Sequence, residues 1–466
     1  MPEEEPADDL VTTAHTINGL AYTATAGRIA LRQEVHDDDT FTGHVVKADV
    51  FLTSYTMKSA NPRERPVTFA FNGGPGSSSV WLHLGLLGPR RVLMGDVGSL
   101  RPPPYGLADN AETLLTVSDL VFIDPISTGY SRAAKGEKSK DFHGYQADLE
   151  SVAEVIRLWT SRNGRWMSPK YLCGESYGTL RAAALAEHLQ ERYGLYLNGL
   201  MLISSVLDGG TLESSGHNDL PYALFLPTYA AVANYHGLHG DRPLRDVLDE
   251  AEEFALGAYR RALDDGNRPT HPVIGRLAAL TGLSEDFLDR VNLRVEEGRF
   301  FAELLRSRRR TVGRLDGRFL GWSADAGQER ISADPSYHAI QGPYTAALNH
   351  YVRAELSYAN DLPYEILTDR VQPWSYREFE GQHVHVADKL AAAMRANPHL
   401  RVYVASGYYD SATPYFATRH TFAHLAIPAE LRGNIEYADF ESGHMMYVHE
   451  PSRLTQSAQL ANFVNR

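Results

Sequence analysis

The sequence predicts an α/β protein: a mostly parallel central sheet flanked by helices, with a helical segment inserted into it. Two observations carry this. Short apolar runs alternate with stretches of helical spacing, as happens when helices cover both faces of a parallel sheet. Two glycine-rich turns, Asn72–Ser78 and Gly174–Gly178, each follow such a run directly.

Residues 1–10 read as a tail. Alternation and β-branched content then predict strands over Thr16–Thr23, Arg28–Gln33 and Gly43–Thr56. Val67–Phe71 is a short apolar run of the buried-strand kind. Ser78–Leu87 reads as a helix and Asp119–Asp124 as another buried strand. Tyr145–Arg162 carries helical spacing at Leu149, Val152, Val155, Ile156 and Trp159. Lys170–Cys173 is a strand entering Gly174, Thr179–Tyr193 is helical, and Leu200–Ser204 is the next strand.

From 209 to 372 the chain changes character. Helix formers, arginines, acids and glycine breaks replace apolar strands. Arg401–Ala405 and Asn434–Asp439 then resume strand character. The expected organisation is a core over 1–208, a helical cap over 209–372 and the rest of the core over 373–466. The sheet should hold about eight strands, with antiparallel strands added at the N-terminal side.

Hydrophobic residues make up 43% and charged residues 22%, ordinary values for a globular protein. The net charge of −13 argues against a nucleic-acid binder, which needs a basic face. The run Arg306–Arg310 reads as a solvated helix face. Cys173 is the only cysteine, so an intrachain disulfide or a cysteine zinc site is ruled out. His36–Asp39 reads as a solvated turn, and no metal or cofactor is expected. The opening MPEEEPADDL lacks the basic and apolar regions of a signal peptide. No apolar run reaches the roughly 18 residues of a membrane span. A cytoplasmic protein is expected, or a secreted or periplasmic one if a signal has been removed.

The chemistry centres on Gly174-Glu175-Ser176-Tyr177-Gly178. A serine hydroxyl is a poor nucleophile at neutral pH and needs a base and an oxyanion pocket. A strand, this pentapeptide and then a helix make the turn that exposes a nucleophilic serine in an α/β-hydrolase. The loop Asn72-Gly73-Gly74-Pro75-Gly76-Ser77-Ser78 follows a strand where that fold places its second oxyanion donor. The fold demands nucleophile, acid and histidine in that order. Asp410 follows the strand 401–405, and His444 follows the strand 434–439. Among the 19 histidines, His44, His83, His385 and His449 read as surface or core residues.

These segments resemble the serine carboxypeptidase family, peptidase family S10. The family's N-G-G-P-G-x-S-S matches Asn72–Ser79, and its G-E-S-Y matches Gly174–Tyr177. Its D-x-P-x-x-x-G-x-S is similar to Asp124–Ser131, one residue shorter. Its G-x-x-D-x-x-x-P matches Gly407–Pro414, and its G-H-M matches Gly443–Met445, with Pro451 downstream. The resemblance implies that Ser176 is acylated, that His444 is general base and then acid, and that Asp410 orients His444. It implies an oxyanion hole from the Gly74 and Tyr177 N–H groups. It also implies that Asn72, the Gly73 N–H and Glu175 bind a peptide's terminal carboxylate, for which Glu175 must keep its proton. The partner would be a peptide with a free C-terminus, with no nucleic acid and no membrane. The oligomeric state is left open, a homodimer included.

The chain departs from the family in places. The glutamate that often shares a proton with the one before the serine aligns here with Leu86, so Arg90, Arg91 or His83 would have to compensate. Ser77 stands where a disulfide-bonded cysteine is common, and Ile203-Ser204-Ser205 replaces the usual G-N-G. These features resemble a bacterial-like branch. The alternatives are an esterase or acyltransferase with the same triad and, remotely, a non-catalytic binding protein on this fold. Activity is expected to be weak well below about pH 5, where His444 is protonated.

Overall fold

Three long antiparallel strands open the chain. In the computed structural model, which describes residues 8–59, 61–95, 97–98, 101–265 and 271–466, strand β1 (Asp9–Ile17) turns into β2 (Leu20–Asp37), which turns into β3 (Thr40–Met57). Both turns are two-residue hairpins with positive φ throughout: Asn18 at 51° and Gly19 at 75°, then Asp38 at 43° and Asp39 at 61°. The expected strand over Thr16–Thr23 is therefore wrong, because it runs across a turn. Asn-Gly is the dipeptide that this hairpin geometry favours. Of the expected N-terminal tail, residues 1–7 lie outside the described residues, while Asp9 and Leu10 already pair with Arg28 and Gly27.

The remaining strands of the sheet are β4 (Val67–Phe71), β5 (Asp119–Ile123), β6 (Arg132–Ala133), β7 (Lys170–Glu175), β8 (Gly199–Ile203), β9 (Arg401–Gly407) and β10 (Ile435–Phe440). Their order is β1-β2-β3-β5-β4-β7-β8-β9-β10, with β6 on β3, which makes ten strands with the antiparallel N-terminal ones included. From β5 to β10 every pairing is parallel. In the register of β4 against β7, Phe71 lies opposite Gly174. The two glycine-rich turns thus leave adjacent strands side by side at their carboxyl ends, where open α/β sheets bind ligands.

Helices cover both faces. On one, Tyr145–Arg162, Tyr177–Tyr193 and Ala387–Ala396 bury Val152, Ile156, Leu185 and Leu390. On the other, Pro335–Ala354 and Glu450–Asn465 bury Tyr344, Tyr351, Leu460 and Phe463. The expected Ser78–Leu87 helix is a single α turn, Val80–Leu82, continued as a π turn, His83–Leu87. The wider turn is closed by the Gly88 N–H donating to the His83 carbonyl at 3.0 Å.

A third apolar cluster lies within 209–372 and joins the helices Leu220–Tyr235, Leu244–Phe254 and Glu297–Glu303. It also takes in Tyr409 and Tyr415, which flank Asp410. The basic run is helical only over Arg306–Arg308, and Arg310 opens a short hairpin strand with its guanidinium 3.3 Å from the Trp322 ring centroid. Cys173, in β7, is fully buried. No helix among the described residues is long and apolar enough to cross a membrane.

Candidate active site

Ser176 sits on the sharp bend between β7 and the helix that starts at Tyr177. Its φ of 59° and ψ of −129° are strained for a side-chain-bearing residue, and surrounding contacts hold them there. The Ser176 N–H donates to the Ile203 carbonyl at 3.0 Å, while its carbonyl accepts from the Thr179 N–H and hydroxyl at 2.8 and 2.7 Å. The flanking glycines are required by space. A Cβ on Gly174 would lie 2.1 Å from the Gly178 carbonyl oxygen, and one on Gly178 would lie 2.7 Å from that of Phe71.

The histidine and the acid come together across the ends of β9 and β10. His444 Nδ1 lies 2.8 Å from Asp410 Oδ2. The Asp410 carboxylate also accepts from the N–H groups of Ala412 and Thr413 and from the Thr413 hydroxyl, at 2.7, 3.0 and 2.7 Å. Burial alone would raise its pKa, yet His444 and these donors hold it below the ordinary value. For His444, burial opposes the charge, but Asp410 outweighs burial and raises the imidazole above its ordinary value. The loop itself is anchored. The His444 N–H donates to the Leu315 carbonyl at 2.7 Å, and the Ser204 hydroxyl donates to the His444 carbonyl at 2.6 Å.

The Asn72–Ser78 loop lies against the serine bend. Gly74 has φ of +101°, and a Cβ on Gly73 would lie 2.4 Å from the Tyr177 nitrogen. Arg181, on the helix after Ser176, binds the two pieces together. It donates twice to Asp148, at 2.7 and 3.1 Å, and once to the Asn72 carbonyl, at 2.7 Å. Asp124, at the end of β5, accepts from the Ser79 N–H, the Ser79 hydroxyl and the Tyr364 hydroxyl, which fixes the far end of the loop.

Asn72, Gly73, Gly74, Glu175, Ser176 and His444 line one cavity, which Trp81, Tyr337, Ile340 and Met445 wall on its apolar side. Asp410 and the Tyr177 ring stand behind this surface, both buried. Arg314 also lines the cavity and makes a loose pair with Glu297 at 3.4 Å.

Glu175 is buried and has no basic partner among its hydrogen bonds. Burial pushes its carboxyl pKa up to about 7, against the opposing pull of His444 and of two hydrogen-bond donors. Oε1 accepts from Asn72 Nδ2 at 2.9 Å, and Oε2 accepts from the Tyr447 hydroxyl at 2.6 Å. The compensating residues expected from sequence are engaged elsewhere. Arg90 pairs with Asp109 and Glu355, Arg91 pairs with Glu450, and His83 is sealed against the Tyr55 hydroxyl with its pKa lowered to about 3 by burial.

Sequence reasoning missed Tyr447, Arg181 and Arg314. Tyr447 lies three residues beyond His444 on the same loop, which is the only local sign of its place. Arg181 reads as one more polar position of a helix, and Arg314 falls in a stretch without a motif.

A mostly parallel sheet flanked by helices, with a serine on a glycine-bounded bend, defines the α/β-hydrolase fold. The family model described as serine carboxypeptidase (Peptidase_S10) matches residues 39–223, which supports placing the chain with that family. Over 185 residues the chain is 29% identical to Serine carboxypeptidase-like 13 of Arabidopsis thaliana, covering 38% of this chain and 40% of that one. Over 152 residues it is 30% identical to Serine carboxypeptidase-like 12 of the same plant, covering 31% and 32%. The chain thus spans well under half the length of these relatives. A prohormone-processing carboxypeptidase from Saccharomyces cerevisiae superposes with a TM-score of 0.57 at 16% identity, over 95% of this chain and 91% of that one, a likeness of fold.

Proposed function

We propose that this protein is a serine carboxypeptidase that removes C-terminal residues from peptides through an acyl-enzyme. The observation that carries the reading is the cavity itself, in which a buried carboxyl group that titrates near neutrality lies beside the serine. In the proposed reaction Ser176 Oγ attacks the scissile carbonyl carbon, and His444 takes the hydroxyl proton on Nε2. Asp410 holds the other ring nitrogen and stabilises the imidazolium. The Gly74 and Tyr177 N–H groups receive the oxyanion. His444 then protonates the leaving amine, and water, deprotonated by the same imidazole, releases the acyl group.

An exopeptidase must also recognise a free carboxylate. That role falls to Asn72, the Gly73 N–H and Glu175, provided that Glu175 is protonated and can donate. The helical layer within 209–372 acts as a cap that excludes water and shapes the peptide site. The lone cysteine fits a bacterial-like branch working in the cytoplasm, which cell fractionation would test.

The test is a panel of blocked dipeptides, each as free acid and as amide, with Ser176→Ala as control. Release of the terminal amino acid from the acid alone, lost in the variant, is expected. Equal turnover of acid and amide would refute the reading and favour an esterase or acyltransferase.

A further inference from the structure

We propose that Tyr447 is a positioning residue that decides which oxygen of Glu175 carries the proton, and so aims that proton at the substrate carboxylate. The proposal rests on the carboxypeptidase reading and adds to it the residue that makes a lone glutamate usable.

The hydrogen bonds favour one arrangement. The Asn72 side-chain oxygen, Oδ1, already accepts from the Leu82 N–H at 3.1 Å, so its side-chain nitrogen, Nδ2, must be the group facing Glu175 Oε1. Burial raises the Tyr447 phenol well above its ordinary value, so the phenol keeps its proton. Glu175 Oε2 is the acceptor its hydroxyl has at 2.6 Å. Both carboxyl oxygens accept a bond, Oε2 from the phenol at 2.6 Å and Oε1 from the Asn72 amide at 2.9 Å. The oxygen with the shorter bond from the more acidic donor takes the carbonyl role of the neutral carboxyl group, so the acid proton goes to Oε1. There it lies beside the second N–H of Asn72, and both residues line the cavity with Ser176. Two parallel donors suit the two oxygens of a carboxylate.

Packing makes room for this tyrosine. A Cβ on Gly85 would lie 2.3 Å from Tyr447 Cε2 and 2.6 Å from the Tyr344 hydroxyl. The phenol therefore fills the space that a side chain at position 85 would need, while Leu86 is buried in the core. The other titratable groups felt around Glu175 are His444, which favours its charge, Asp410, which opposes it, and the buried Tyr344 and Cys173, whose own ionisation Glu175 suppresses. Arg314 lines the cavity without bonding to Glu175.

Tyr447→Phe keeps the ring and removes the donor. The variant is compared with the wild type on a blocked dipeptide as free acid and as amide, across pH, per site titrated by a fluorophosphonate. The acid-to-amide ratio of kcat/KM should fall about tenfold, mainly through KM for the acid, as the loss of one charge-oriented hydrogen bond predicts. The pH at which that ratio declines should move upward, because the glutamate anion has lost a donor. In a Glu175→Ala background, with no proton to place, Tyr447→Phe should leave the ratio where it is. A purely structural tyrosine would weaken both substrates alike and leave the pH limb in place, and that result would overturn the proposal. Wild-type enzyme that treats acid and amide equally would remove the carboxypeptidase reading, and this inference with it. Discrimination by the wild type that survives Tyr447→Phe would remove this inference alone.

Discussion

Gly178 is where the serine bend and the Asn72–Ser78 loop press together, so Gly178→Ala should separate them. The added Cβ would meet the Phe71 carbonyl oxygen at 2.7 Å and the Asn72 carbonyl carbon and oxygen at 3.1 Å. These are backbone atoms of β4 and the residue after it, and they cannot rotate away. The seam must open by about 0.7 Å to reach the 3.4 Å of ordinary contact, at an overpacking cost of about 1–3 kcal/mol. Position 178 is helical, where alanine is better than glycine by about 1 kcal/mol. The net loss of stability should therefore be small, at about 0–2 kcal/mol. The loss of activity should be larger, because a shift approaching 1 Å in catalytic geometry costs about 100-fold. We expect kcat/KM on a blocked dipeptide to fall about 10- to 100-fold while urea denaturation moves little. Gly194→Ala is the control. Its φ is +61° and its Cβ would meet nothing within 4 Å, so it carries backbone strain without touching the site. If Gly178→Ala keeps full activity, or Gly194→Ala loses as much, the argument from the seam is wrong.

Three further outcomes follow from the buried charges. For the free-acid substrate, kcat/KM should rise as His444 loses its proton, above its ordinary pKa, and fall again as Glu175 ionises near about pH 7. An amide or ester should show the rising limb alone, and a falling limb on both would count against Glu175 as the carboxylate reader. The same raised Glu175 pKa binds a proton more tightly in the folded state. Its contribution to stability is full below about pH 4.5 and lost as pH rises through about 7, roughly 3 kcal/mol in all. Glu175→Gln should therefore be the more stable protein at about pH 8 in urea titrations. Finally, Arg181→Met should cost about 3–5 kcal/mol, since it leaves Asp148 buried without its partner. Adding Asp148→Leu should recover much of that stability, but not the activity lost with the Asn72 anchor.

What could be read from the sequence was whatever depends on backbone space. Gly174, Gly178 and the Asn72–Ser78 loop announce themselves because only certain residues fit there, and their positions after apolar runs place them on adjacent strands. Asp410 and His444 could be placed because the fold fixes their order. The Asn18–Gly19 turn was readable too, but alternation through Thr16–Thr23 hid it, because a tight hairpin continues the same pattern on its return strand. The Tyr447 contact to Glu175 spans 272 positions, and no local propensity encodes it. The π turn at His83–Leu87 likewise follows from tertiary packing, since its residues suit an α-helix equally well.

Cys173 lies three positions before Ser176, on the buried strand that leads into the serine bend, and burial pushes its thiol pKa well up. A thiol reagent can reach it only when the centre of the sheet comes apart, which is also the event that destroys the serine bend. The rate of labelling therefore clocks the opening of the strand that leads to Ser176. A bound peptide mimic that closes the cavity from above should slow that clock in proportion to how tightly it holds the native state.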